Sequence, residues 1–157
     1  MDRIISTGIA TATAALLSLA APQAAQAQPL TLDLARVGAL VNVDDAAGRW
    51  QHEGGEVFCP DGTHIANYAL HRRYTTTGTG PQNSAMLTIT LFFLGADPAE
   101  NITLQGAHSF SNGNATGSVS AASPAFAAMR KQSFTGSGAS DTITINKLGG
   151  RRFNPCP

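Results

Sequence analysis

Two stretches near the middle of this chain alternate apolar and polar residues with a period of two. Leu87, Ile89, Leu91 and Phe93 share one face, against Thr88 and Thr90 on the other. Ile102, Leu104, Gly106, His108 and Phe110 likewise share a face, against Asn101, Thr103, Gln105, Ala107 and Ser109. Only an extended strand places every second side chain on one side, so these segments form a half-buried β-sheet. Ile143 and Ile145, set between Thr142, Thr144 and Asn146, repeat the pattern near the end of the chain.

Around these segments the chain reads as short strands divided by turn chemistry. Strands are expected over 36–43, 55–59, 63–76, 85–94, 101–111, 115–122, 133–139 and 141–146. Cys59-Pro60-Asp61-Gly62 is a turn in which Pro presets one φ and Gly takes the positive one. Asn112-Gly113 favours a tight hairpin, and further loops are expected at 78–83 and 95–98. Past residue 27, Gly, Thr, Ser and Asn fill 45 of 130 positions, a composition poor in helix formers. One helical turn is expected near 124–130, with Ser123 as cap, Pro124 at the first position and Phe126 and Met129 pointing inward. About eight strands at this spacing make an all-β fold, an antiparallel barrel or, as the alternative, a β-sandwich. The barrel is favoured because closure removes sheet edges, and the chain has only Lys131 and Lys147 as edge-guarding lysines.

Residues 1–27 have the order of a signal peptide: Arg3, an uncharged run from Ile4 to Ala21, then Pro22 and Ala25-Gln26-Ala27. The expected organisation is therefore a signal at 1–27 and a single domain at 28–157, secreted or periplasmic, with no membrane span after cleavage. Cys59 and Cys156 are the two cysteines, and in an exported chain they are expected to pair. That bridge closes a loop of roughly 100 residues, worth about 4–5 kcal/mol, and ties down the C-terminal tail. Formal charges balance at zero, which leaves no electrostatic footprint for nucleic acid.

The usual chemical signatures are missing. His52-Glu53-Gly54-Gly55-Glu56 lacks the second histidine of a zinc helix, and His64 and His71 fall on opposite strand faces, so no metal site is expected. There is no Gly-x-Ser-x-Gly elbow and no phosphate loop, hence no cofactor is expected. His108 is the most informative polar residue, because parity sends it inward among Ile102, Leu104 and Phe110. Tyr68 and Arg72 share a face with Ala66, Leu70 and Tyr74. A cavity lined by Tyr68, Arg72, Leu91, Phe93, Leu104, His108 and Phe110 would suit a small, largely apolar ligand.

The strand Ile102-Thr103-Leu104-Gln105-Gly106 is followed by Gly117-Ser118-Val119-Ser120-Ala121, an aromatic at Phe126, then Phe134-Thr135-Gly136-Ser137-Gly138 and a final strand. Over residues 101–145 this order resembles the second half of the allene oxide cyclase and dirigent barrels, which are lipocalin-shaped. Where those families carry a glycine-rich turn before the aromatic, this chain has Ala121-Ala122-Ser123-Pro124, and no catalytic residue transfers to a matching motif. The resemblance implies an eight-stranded barrel around a cavity. It adds a second role to ligand binding: an enzyme that steers a reactive small molecule, with His108, Tyr68 or Arg72 moving a proton or holding an anion. A third role is a lectin-like surface module using the loops 75–83 and 111–114, with Tyr74 as the nearby aromatic. Oligomeric state is left open.

Overall fold

The computed structural model describes residues 29–46, 48–74, 83–95, 100–146 and 155–156 of the 157-residue chain. The expected signal segment, the loop 75–82 and most of the C-terminal tail lie outside these described residues. Nine strands form one antiparallel sheet: β1 Leu30–Arg36, β2 Val41–Asp45, β3 Gly48–Phe58, β4 His64–Tyr74, β5 Ser84–Phe93, β6 Asn101–Ser109, β7 Asn114–Ala122, β8 Ser133–Ser137 and β9 Thr142–Ile145. Each strand from β3 to β8 pairs with the next in sequence, and β1 pairs with both β9 and β3. Eight strands therefore close into a barrel rather than a sandwich, with β2 outside the ring on β3.

The strand expected over 36–43 is in fact a break between two strands. β1 pairs with the second half of β3 (Arg36 opposite Gly55), and β2 pairs with the first half (Val41 opposite His52). Between them Gly38 takes a φ of 87°, a left-handed conformation that glycine adopts without strain. The chain thus follows β3 along its whole length but leaves the barrel wall halfway. Ala46 lies in the turn that then reverses β2 into β3.

Alternation then fills the interior. Leu32, Val57, Leu91, Ile102, Leu104 and Ile145 are fully enclosed, as are Phe126 and Phe134. Two inward glycines make room for rings. Gly117 faces Gly106 across β6–β7, and a Cβ on it would meet Phe134 Cε1 at 2.7 Å, so the Phe134 ring lies over bare backbone. Gly55 does the same for Tyr68, whose Cε1 stands 2.8 Å from where a Cβ would be.

The two ends of the barrel differ. At one end the 3₁₀ helix Pro124–Met129 crosses the opening and buries Phe126 and Met129, with Phe126 stacked on Phe93 at 4.4 Å. Ser123 does not cap this helix through its side chain; its Oγ accepts the Asn101 N–H at 3.3 Å instead. Arg130 ties the exit of the helix to the Ala122 carbonyl at 2.7 Å. Beside it lies the expected Pro-Asp-Gly turn, where Gly62 N–H donates to the Cys59 carbonyl at 2.9 Å and Gly62 has φ 86°. A disulfide joins Cys59, buried in the core, to Cys156 over a separation of 97 positions. At the opposite end no element of this kind covers the barrel among the described residues.

Candidate functional site

The open end holds a cavity of about 350 Å³. Its floor is apolar, built from Leu34 of β1, Leu70 of β4, Leu87 and Ile89 of β5, Ala115 of β7 and Ile143 of β9. These are inward positions one or two residues above the sealed core. The walls turn polar toward the mouth, where Glu53, Tyr68, Arg72 and His108 point inward and Arg36 and Asp141 sit at the exposed rim. A volume in this range is that of a small-molecule site.

The polar wall is made by cross-strand neighbours on β3 and β4. Gln51 lies opposite Arg72, Glu53 opposite Leu70 and Gly55 opposite Tyr68, so alternate positions of β3 bring two polar side chains inward, Gln51 and Glu53, and leave room at Gly55 for the Tyr68 ring. Arg72 Nη1 donates to Glu53 Oε2 at 3.0 Å and to Gln51 Oε1 at 2.7 Å, and the Tyr68 hydroxyl donates to Glu53 Oε1 at 3.3 Å. Both oxygens of Glu53 are therefore taken by the protein itself. The ion pair is largely withdrawn from solvent, with side-chain exposures of 17% for Arg72 and 14% for Glu53. Burial, reinforced by the neighbouring Glu53 carboxylate, pushes the Tyr68 phenol up to about 12, so it stays a neutral donor throughout the physiological range.

His108 reaches the cavity from the end of β6, with its ring edge-on to Phe110 at 4.6 Å. Burial, and then the Arg72 charge, hold its pKa below the ordinary histidine value, against the opposing pull of a backbone hydrogen bond at Gly113 and of Glu53. Both effects favour the neutral imidazole. Its Nδ1 and the Nε of Arg72 are both enclosed without a hydrogen-bond partner.

Of the seven residues the sequence singles out, Tyr68, Arg72 and His108 meet around this one cavity. Leu91, Phe93 and Leu104 do not line it. They belong to the packed core, with Phe93 at the sealed end, because the barrel interior fills below Ile89. Phe110 stands at the mouth, stacked on Tyr74 at 5.4 Å, and Arg49 lies 5.6 Å from the centre of the same tyrosine ring. Glu53 escapes a reading by motif, since it sits in a Gly-rich run that looks like a loop. Its parity with Val57 is the signal that could have found it: both face inward on β3.

A second polar cluster lies on the outer wall. His52 and His71 are direct cross-strand partners with ring centroids 4.4 Å apart, and Trp50 packs on His71 at 4.9 Å with Arg73 over its own ring. Burial and the adjacent His52 keep His71 below its usual pKa. Among the described residues no three His, Cys, Asp or Glu side chains gather into a metal-binding group. Compared with protein-family models, curated proteins and solved structures, the chain matches none.

Proposed function

We propose that this protein is an exported barrel that binds one small molecule in the cavity at its open end. The observation that carries this reading is the asymmetry of the barrel among the described residues, sealed at one end by Phe126 and Met129 and hollow at the other over an apolar floor. A chain of this size has enough apolar side chains to fill a barrel of eight strands completely. Leaving about 350 Å³ open sacrifices packing energy, which is reasonable only where something else occupies the space. The disulfide is in keeping with an oxidising destination. The ligand is amphipathic: apolar where it meets Leu34, Leu87, Ile89 and Ile143, and polar where it meets Tyr68, Arg72 and His108.

One observation favours a second reading, an enzyme of the cyclase or dirigent type. Tyr68, Arg72 and His108 all face the same cavity, so a donor, a cation and a neutral base are available to a single bound substrate. Native mass spectrometry of the non-reduced protein, purified from its own host's export compartment, separates the two. A co-purifying mass released unchanged by denaturation supports binding. Conversion of the released compound by fresh protein supports the enzyme, and release of the mass from a Tyr68→Ala, His108→Ala variant at undiminished occupancy refutes both.

A further inference from the structure

The charges around the cavity cancel. Arg36 and Arg72 contribute two positive charges, and Glu53 and Asp141 two negative ones. The inner pair, Arg72 with Glu53, is already joined, and Glu53 has no oxygen left without a donor. A ligand carboxylate entering here would find the Arg72 charge already answered, and a ligand ammonium would find no free carboxylate beside the apolar floor. Beside the inner pair either ion would give up hydration without gaining a counter-charge, the costly case for a partly enclosed site, while Arg36 and Asp141 sit at the exposed rim where solvent and salt screen them. An uncharged hydroxyl or carbonyl gives up far less, and it meets the Arg72 guanidinium, the Tyr68 hydroxyl and the neutral His108 imidazole as hydrogen-bonding walls. We infer that the cavity selects uncharged amphipathic molecules, with an alcohol or carbonyl head and an aliphatic body, over fatty acids and amines of the same length. This rests on the binding reading above and specifies its ligand class.

Three probes of equal chain length test it by calorimetry: octanol, octanoate and octylamine. Octanol should bind at least about tenfold more tightly than either ion. Glu53→Gln keeps the shape of the side chain but removes the charge that answers Arg72, and it should bring octanoate up by about tenfold relative to octanol. Asp141→Asn, at an exposed rim position with φ 48° that asparagine tolerates, should move the preference in the same direction by a smaller factor and serves if the Glu53 variant does not fold. Tightest binding of octanoate or octylamine by the wild-type protein overturns the inference while leaving the cavity as a ligand site. An octanoate preference unmoved in both variants overturns it as well, and no binding of any probe overturns the inference and the binding reading together.

Discussion

Replacing Cys156 by alanine removes the cross-link while leaving Cys59 packed in the core. In the unfolded chain the disulfide closes a loop of 97 positions, which the chain-entropy relation values at about 4.7 kcal/mol at 25 °C. Part of that is returned in the folded state. The tail from Ile145, the last residue of β9, to Cys156 spans 11 positions, and closing it costs about 2.8 kcal/mol on the same relation. If the cross-link alone holds the tail, the net loss is about 2 kcal/mol; if packing docks the tail unaided, the loss approaches about 4.7 kcal/mol. Cys156 packs against the core cluster, so the expected loss in Cys156→Ala lies between these bounds. Urea unfolding of wild type and variant, followed by far-UV circular dichroism, reads the difference directly. A loss below about 1 kcal/mol, or two titratable thiols in the non-reduced wild type, would refute the reasoning.

Phe126→Ala removes the ring that stacks on Phe93 and should cost about 3–5 kcal/mol, a large part of a typical domain's stability; a loss under about 1 kcal/mol in the same urea assay would mean the 3₁₀ helix is not a structural plug. Stability should also fall as pH drops through 6.5, because the unfolded chain's histidines take up protons there while His71 and His108, held below that value in the folded barrel, do not. The loss should level off below the folded values, and His108→Gln should flatten the slope measured by urea midpoints between about pH 7.5 and about pH 5; an unchanged slope would contradict a depressed His108.

The parts of the fold legible in the sequence are those where one strand face is buried along its full length. β5 and β6 announce themselves because Leu87 to Phe93 and Ile102 to His108 point into the barrel without interruption. β3 does not, and the reason lies in what it turns inward. Its inward residues run Gln51, Glu53, Gly55 and Val57, polar at the mouth and small where Tyr68 crosses, so only the last carries an apolar signal. The same reason hides Glu53, which anchors the polar wall. β1 was legible in principle, since Leu30, Leu32 and Leu34 alternate with Thr31 and Asp33, but it starts soon after the signal-like segment and stops short at Gly38. Parity sends Tyr68, Arg72 and His108 inward correctly. It does not reveal depth: whether an inward residue meets cavity or core depends on how strand register staggers around the ring. That is why Leu104 lies in packed core while His108, on the same face of the same strand, lines a cavity.

Ligand binding at the open end of the barrel can be read one residue at a time. The most direct test is a methyl-resolved NMR spectrum of the barrel, recorded before and after exposure to a small-molecule extract of its host's export compartment. Shifts at Leu34, Leu87, Ile89 and Ile143, with Leu91, Ile102 and Leu104 unmoved, are the predicted result. No change at these four of the floor residues, or changes confined to the sealed end around Phe93 and Met129, would contradict it.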